Sequence, residues 1–479
     1  MKKIFDMQNN KQIQLSEFYR KVYNSEPKKI EKITQAGSPR FYCRFYSEEQ
    51  SILGVYSDNV IETETFLYYS EVFTKLNLNT PKVYAVSDDK TCYFIKDFGD
   101  DLLLNLLLQS QKENNTISQQ IIDYYKKSLT ALVKMQVLAK EHIDFTKAYF
   151  IQKFDAQSIL FDLNYFKYYF LNSSEIVYNE KKLQDDFEKL ANDLDSGGTK
   201  LFMFRDFQSR NILVKNNEVY FIDYQGGRLG APEYDLVSLL YQARAGLPEN
   251  LKLELKDFYF SELSKHIDLD KEEFDDRFYK YAYLRVLQTF GAYGLRGLIE
   301  KKQHFVDSIP FALENLKTLM TLHPLSDDFV ELKRVLQELI LSKKHEHKVF
   351  DEFTVQVFSF SYKKGLPIDI SGNGGGFIFD CRGIHNPGRY AEYKDKTGKD
   401  KEVIEFFKTK SDIDVFIENA KTTVNSTVEN YIERGFNSLM ISFGCTGGRH
   451  RSVYCAEAMA KYLKEKYKVN VILRHREQE

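Results

Sequence analysis

The stretch "FRDFQSRNILVKNNEVYFIDYQ", residues 204–225, sets Asp206, Asn211 and Asp223 in a strongly patterned run with two arginines among them. Ile212-Leu213-Val214 and Val219-Tyr220-Phe221-Ile222 are β-prone runs around Lys215-Asn216-Asn217-Glu218. Asn-Asn favours the positive φ angles of a tight hairpin turn, so the two runs are predicted to pair antiparallel. Folding about Asn216-Asn217 sets residue 211 opposite residue 222, which makes Asn211 and Asp223 neighbours and leaves Asp206 on the loop entering the first strand. Three oxygen-bearing side chains then converge at the open end of one hairpin. Hard oxygen ligands with at least one carboxylate suit Mg²⁺, which keeps waters and takes substrate phosphates as well. The chemistry such a set performs is phosphoryl transfer. One Asp orients or deprotonates a hydroxyl, while an Asn and a second Asp hold the metal that bridges the phosphates.

The elements around the hairpin have to position it. Residues from about 30 to 98 alternate short β-prone runs with one helical segment. "KITQAGSPRFYCRFYS" reads as a strand, a glycine turn at Gly37, and a second strand with Ser38, Arg40, Tyr42 and Arg44 on one face. "SILGVYS" is a third strand. Residues 61–77 have helical spacing with Glu62, Phe66 and Tyr69 on one side, and "KVYAVS" and "CYFIKDFG" complete a small sheet. From 99 to about 345 the pattern is largely helical apart from the hairpin.

Arg205-Asp206-Phe207-Gln208-Ser209-Arg210-Asn211, followed by Phe221-Ile222-Asp223-Tyr224, resembles the catalytic motif of the aminoglycoside-phosphotransferase-like kinases, a branch of the protein-kinase-like fold. Glu233-Tyr234-Asp235-Leu236 matches that family's further Asp, which braces the catalytic loop from a helix; Arg205 belongs to the same support. Within the superfamily, "DFQSRN" and "FIDYQGG" are most similar to the anomeric amino-sugar kinases, which act on the C1 hydroxyl of N-acetylmuramate or N-acetylglucosamine. The resemblance implies an α+β bilobal kinase-like domain, with an N-lobe over 1–98 and a helical C-lobe over 99–345. It implies ATP and Mg²⁺ as cofactors, a sugar or amino-sugar substrate, Asp206 as the catalytic residue, and Asn211 and Asp223 on the metal. Glu62 is the best match to the helix glutamate of this fold, with Glu64 and Glu71 as alternatives. Two departures stand out. No V-A-I-K-like strand supplies the usual phosphate-pairing Lys, and Gly37-Ser38-Pro39 is a single glycine turn rather than a G-x-G-x-x-G loop. Arg40 and Arg44, on the strand face beside Gly37 and Ser38, are the candidates to meet nucleotide phosphate, because guanidinium binds it bidentately. The competing reading is that both line a solvated face.

Beyond "LILSKKHEHKVFDEF", a charged stretch suited to a linker over 346–352, the texture changes. Residues 353–479 alternate strand-like and helical runs. Ser438 to Phe443 reads as a buried strand, and Val453, Ala456, Ala460, Leu463 and Tyr467 form a helical stripe. Between them "GCTGGRHRS" is a glycine-rich turn feeding a helix N-terminus. Gly447 and Gly448 let the backbone curl so that N–H groups point inward, where the helix end adds positive potential; Arg449, His450 and Arg451 add charge. This is an anion cradle. Cys445 and Arg451 stand in a C-x5-R frame followed by Ser452, the spacing of tyrosine-phosphatase-type loops, with Cys445 placed as a nucleophile. The preceding residue is Gly444 rather than His, and a general acid is only a choice between Asp369 and Asp380.

The better match is to the C-terminal domain of the RapZ family of RNase adapters. "FSFSYKKGLP", "FDCRGIHNPGRY", "TGKD", "GCTGGRHRSV" and the terminal "RHR" recur there in this order. That resemblance implies a smaller α/β domain that binds an amino-sugar phosphate, with RNA binding in some members. It sets Asp380, Arg382 and Asn386 facing the cradle of Cys445, Thr446, Gly447, Gly448, Arg449, His450, Arg451 and Ser452, with Arg474 and Arg476 contributing from the end. The family's N-terminal G-x4-G-K-[ST] loop is absent. Three functions follow as alternatives: a kinase with a phosphosugar- or RNA-binding tail, a non-catalytic RNA- or metabolite-binding regulator, or a kinase combined with a Cys-dependent phosphatase.

Composition narrows the setting. At 479 residues two or three domains are expected. A net charge of −2 gives no global field for nucleic acid or membrane. From residue 441 onward eight Lys or Arg face four Asp or Glu, a modest basic patch that suits RNA phosphates or a solvated helix face equally. The five cysteines form no C-x-x-C pair, which points to a reducing interior, and no signal-peptide core follows Met1, so a cytoplasmic protein is expected. Leu102 to Leu108 is too short to span a bilayer and reads as a buried helix.

Overall fold

Five strands near the start of the chain form one antiparallel sheet in the order β1-β2-β3-β5-β4. They are β1 (Lys29–Ile33), β2 (Phe41–Tyr46), β3 (Ser51–Tyr56), β4 (Val83–Val86) and β5 (Cys92–Lys96). Helix α1 (Lys2–Tyr23) lays Leu15, Phe18 and Tyr19 over Cys43, Phe45 and Phe94 of one sheet face. Gly54 of β3 permits that packing, since a Cβ there would stand 2.6 Å from the Phe45 ring. Helix α2 (Val60–Lys75) follows β3 and starts where the Asn59 side chain accepts the Glu62 N–H at 3.2 Å, an N-cap that fixes Glu62 in the first turn. The computed structural model describes residues 2–33, 40–48, 50–114, 116–174, 176–342, 350, 352–367, 369, 371 and 375–478.

Helices then dominate: α3 (Leu103–Asn114), α4 (Gln119–His142), α5 (Ala156–Tyr169), α6 (Glu180–Ser196), α7 (Pro232–Leu240), α8 (Glu249–Leu263), α9 (Lys271–Tyr293), α10 (Gln303–Val306), α11 (Ile309–Leu322) and α12 (Val330–Leu341). Leu103 and Leu107 of α3 are fully buried, as the leucine run suggests. Between α6 and α7 lie two small antiparallel ladders. One joins β6 (Leu201–Met203) to β9 (Arg228–Gly230), and the other joins β7 (Ile212–Lys215) to β8 (Glu218–Phe221). Large side chains such as Phe202, Phe204, Phe207 and Tyr234 are fully buried beneath these ladders. Each such burial contributes about 1.5–3 kcal/mol, so the loops above rest on a rigid floor.

The last part of the chain is a four-stranded parallel sheet in the order β11-β12-β10-β13. Its strands are β10 (Thr354–Ser361), β11 (Gly376–Asp380), β12 (Ser438–Cys445) and β13 (Asn470–His475), interleaved with α13 (Lys401–Lys410), α14 (Ile413–Glu433) and α15 (Arg451–Tyr467). Every residue of β10 and β12 is buried, as expected of central parallel strands covered on both faces. Contacts divide the chain into Met1–Glu300 with Phe311–Ser342, and Lys301–Pro310 with Lys343–Glu479. Most of the expected 346–352 linker lies outside the described residues. No helix among the described residues is long and apolar enough to cross a membrane.

Candidate functional site

The β7–β8 register runs from Ile212↔Phe221 to Lys215↔Glu218, and both turn residues are left-handed, Asn216 at φ 52° and Asn217 at φ 62°. That is the turn whose twist matches paired strands. At the open end the Ile222 N–H donates to the Asn211 carbonyl at 3.0 Å, so residues 211 and 222 are opposite each other. The Asn211 side chain is buried and its Nδ2 donates to the Asp206 carbonyl at 2.8 Å, which leaves Oδ1 as its acceptor. Asp223 is exposed and sits at φ 71°; Arg205, beside Asp206, sits at φ 80°. Left-handed backbone at non-glycine residues costs about 1–3 kcal/mol and persists only where the surroundings enforce it.

Those surroundings are identifiable. Fully buried Asp235 on α7 accepts the Phe204 N–H at 2.7 Å, the Arg205 N–H at 2.9 Å and the Gln136 amide at 3.0 Å. It pins the backbone immediately before Asp206. Burial pushes the Asp235 carboxyl up to about 7 despite these donors. The Arg205 guanidinium is committed to structure: it pairs with Asp162 of α5 at 2.7 Å, bonds the Tyr234 hydroxyl, and lies over the Phe154 and Tyr234 rings. Asp206 keeps a side chain 45% exposed and pairs with Arg285 of α9 at 3.1 Å. Burial acts to raise its carboxyl, but Arg285, Arg210 and Arg205 outweigh it and hold the group below the usual carboxylate range. So weak a base orients a hydroxyl better than it removes its proton.

On the sheet side, Gly37 and Ser38 lie outside the described residues. Arg40 and Glu62 meet: the guanidinium is 2.8 Å from Glu62 Oε1, with side-chain exposures of 3% and 17%. Val55 of β3 is fully buried and pairs with Tyr42 of β2. No lysine stands on β3, and Arg40, one residue ahead of β2, is the cation that meets Glu62. Arg44 requires a correction. It is enclosed by Asp97 at 2.7 Å and Asp100 at 2.8 Å, beside the end of β5, and is committed to those carboxylates rather than to a phosphate. Strand periodicity gave its face but not its partners. Sequence reasoning also missed Gln225, whose Nε2 donates to Asp223 Oδ1 at 2.7 Å and to Glu62 Oε1 at 3.2 Å. Its position two residues after Asp223 was the available signal. Asp162 and Arg285, 43 and 79 residues from their partners, left none.

The donor set fits Mg²⁺. An exposed carboxylate and an amide oxygen are hard ligands, and no group of three or more His, Cys, Asp or Glu able to hold a metal occurs among the described residues. Asn211 and Asp223 would hold such a cation, which would complete its shell with water and phosphate as Mg²⁺ does. A hollow of about 770 Å³ lies at the other end of the same hairpin, lined by Gly99, Asp101, Asn216 and Asn217 among others, and is remote from this chemistry.

The second site follows from strand order. After β10 the chain crosses to β11, and after β12 it crosses the other way to β13. The reversal falls between β10 and β12, where Ser361 pairs with Cys445. A crevice outside the carboxyl ends of parallel strands at such a point is where α/β sheets bind ligands. The Ser361 hydroxyl donates to the Thr446 carbonyl at 2.7 Å, tying the two loops together. Thr446, Gly447 and Arg449 are exposed, Gly448 is at φ +68°, and a Cβ on Gly447 would meet nothing within 4 Å. Ser452 is buried in the first turn of α15. His450 is kept below its usual pKa chiefly by burial, and its Nε2 lies 2.9 Å from the Tyr393 carbonyl.

The other predicted side chains are occupied among themselves. Asp380 pairs with Arg382 at 2.7 Å, Arg382 lies over the Tyr362 ring, and Asn386 accepts the Gly388 N–H. Buried Arg451 donates to the Arg382 carbonyl at 2.8 Å and the Ile384 carbonyl at 3.0 Å. Cys445 is 2% exposed, with Sγ accepting the Gly448 N–H and 3.2 Å from the Ser452 hydroxyl. Arg476 donates to the Gly365 carbonyl. Unforeseen is Glu477, whose buried carboxylate accepts the Ser361 N–H and pairs with Lys364 at 2.8 Å.

Residues 161–271 match the family described as phosphotransferase enzyme family, and residues 353–479 match the RapZ C-terminal domain. Both resemblances drawn from the motifs are borne out. A nucleotide-binding protein of Thermotoga neapolitana is 34% identical over 190 residues, 39% of this chain and 60% of that protein. One from Acetivibrio thermocellus is 40% identical over 130 residues, 27% of this chain and 43% of that protein. The chain therefore spans less than two thirds of either relative. Solved structures that align include choline kinase LicA of Streptococcus pneumoniae, at 12% identity and TM-score 0.43 over 64% of this chain and 99% of that one. Another is a thermostable mutant of aminoglycoside phosphotransferase APH(4)-Ia, at 12% identity and TM-score 0.42 over 64% and 98%.

Proposed function

We propose that this chain, with a phosphotransferase-family segment ahead of a RapZ C-terminal domain, is an ATP- and Mg²⁺-dependent kinase of a sugar or amino-sugar hydroxyl. One observation carries the reading: Asn211 and Asp223 lie at the open end of one hairpin, with Asn211 bonded to the backbone of Asp206. Asp206, ionised and half exposed, accepts the acceptor hydroxyl's hydrogen and aims its oxygen at the terminal phosphorus. Asn211 and Asp223 hold Mg²⁺, which supplies charge neutralisation on the phosphates. Arg40, anchored on Glu62, supplies the cation that β3 lacks. Catalysis of this kind is mainly positioning and electrostatics, which suits a site built from braced loops. In the second unit, the exposed backbone of Thr446 and Gly447 at the head of α15 receives the phosphate of a phosphosugar. The RapZ-type match favours a second reading, a metabolite- or RNA-binding regulator that turns over nothing.

An ADP-release assay across a panel of sugars and amino sugars tests the choice, with Asp206→Asn as control. Turnover in the wild type that collapses in the variant supports the kinase. Equal turnover in both, or none across the panel, leaves the regulator. Calorimetric titration with amino-sugar phosphates, and separately with RNA, identifies the ligand of the second unit.

A further inference from the structure

Gln225 is the residue that neither the catalytic motif nor the metal set requires, yet it joins them. It is 8% exposed, and its single amide nitrogen bonds two carboxylates, Asp223 at 2.7 Å and Glu62 at 3.2 Å. The orientation is fixed by chemistry, because an ionised carboxylate only accepts and so both partners demand the NH₂ end. The other end pays for this: Gln225 Oε1 is buried with no hydrogen-bond partner. An orphaned buried acceptor costs about 1–3 kcal/mol, which a merely structural side chain at this position avoids by being apolar. The chain continues beyond Glu62 to Arg40 at 2.8 Å, whose guanidinium also lies 5.9 Å from the centre of the Phe66 ring on α2. Phe66 stacks in turn on Tyr224, the residue between Asp223 and Gln225. Arg40, Glu62, Gln225 and Asp223 thus form one run of charge and amide from the residue ahead of β2 through α2 to the end of the catalytic hairpin.

We infer that Gln225 is a positioning residue that couples the two halves of the nucleotide site. By holding the Glu62 and Asp223 carboxylates on one amide, it makes the placement of the Arg40 cation and of the metal-side carboxylate a single event, so that nucleotide and Mg²⁺ strengthen each other's binding. The inference rests on the kinase reading and deepens it. Two like charges joined by a neutral bridge separate when the bridge is lost, and each then finds its own geometry. Coupling between two ligands is a free energy shared reciprocally, so it is measurable from either side.

The test is calorimetric titration of the full chain with ADP, with and without saturating Mg²⁺, in wild type, Gln225→Met and Gln225→Asn. The Met variant fills the volume and removes the orphaned oxygen; the Asn variant keeps an amide too short to span both carboxylates. In the wild type Mg²⁺ strengthens ADP binding. In both variants that enhancement falls about tenfold, within the usual range of coupling. The melting temperature of Gln225→Met stays level or rises, which a purely structural role for the glutamine does not allow. An undiminished Mg²⁺ enhancement in a folded variant of either kind overturns the inference and leaves the kinase reading standing. Absence of ADP binding by the wild type overturns the kinase reading itself. If Gln225→Met unfolds, Gln225→Asn carries the decision.

Discussion

The hairpin site and the cradle use their buried charges differently. At the hairpin, the side chains proposed to act, Asp206 and Asp223, reach solvent. Asp206 is 45% exposed and Asp223 lies open, while the groups that fix them, Asp235 and Arg285, are buried behind. At the cradle Asp380 and Arg382 pair with each other at the surface, and buried Arg451 is directed to two backbone carbonyls. What stays open on the loop itself is Thr446, Gly447 and Arg449. A transferase needs ionised side chains aimed at a reacting hydroxyl and a metal, whereas a binding loop needs amide donors whose positions do not drift. The difference teaches that a charge in a loop serves the frame when its partners are already inside the fold.

The comparison can be broken by substitution, starting with the largest effect. Asp206→Asn keeps the shape and removes the ionised group; turnover is expected to fall about 10²–10⁴-fold, with ADP affinity in calorimetry nearly unchanged. Arg451→Lys cannot reach both the Arg382 and Ile384 carbonyls. It is expected to destabilise the second unit by about 2–3 kcal/mol in urea unfolding and to weaken phosphosugar binding, with the hairpin site unaffected. Asp235→Asn keeps one acceptor oxygen and turns an NH₂ toward one of the two backbone donors, Phe204 N–H or Arg205 N–H, and is expected to cost about 2 kcal/mol. It also removes a pH slope. With its folded pKa raised to about 7, Asp235 keeps a proton that the unfolded chain has released, so stability declines between about pH 4 and 7, and the variant flattens that decline.

Smaller effects sharpen the contrast. Asp206 has a depressed pKa in the folded state, so its ionised form contributes stability above the unfolded value of about 3.9, lost as pH falls through the folded one. Arg285→Gln removes one of the cations responsible, and the acid limb of the pH–rate profile is expected to move upward. Smallest of all, Cys445→Ser is expected to leave phosphosugar affinity within about twofold and to change no phosphate release from p-nitrophenyl phosphate. The thiol is buried against Gly448, and Arg451 is directed to carbonyls. Loss of a wild-type phosphatase activity in that variant would restore the two-enzyme reading.

How much was legible follows sequence distance. The hairpin was readable because Asn216-Asn217 fixes its turn and its turn fixes the register, bringing Asn211 to Asp223 without help from the rest of the chain. The bracing role of Asp235 came from a motif and is met by two backbone N–H bonds. Arg44 was misjudged because alternation along a strand identifies a face, while Asp97 and Asp100 reach it from beyond the end of another strand. Asp162 and Arg285 could not be found at all, since α5 and α9 meet the loop of Arg205 and Asp206 only after the helices pack.

The sequence by itself determined the local chemistry: which residues share a turn, which face a strand presents, where a glycine-rich loop runs into a helix. These are set by φ, ψ preferences and short periods that a dozen residues carry. Only the tertiary structure decided which charges were available for work and which were already paired. Pairing depends on side chains scores of residues apart, such as Asp162 with Arg205 and Asp206 with Arg285, being brought to 2.7 and 3.1 Å, which only the packing of α5 and α9 achieves.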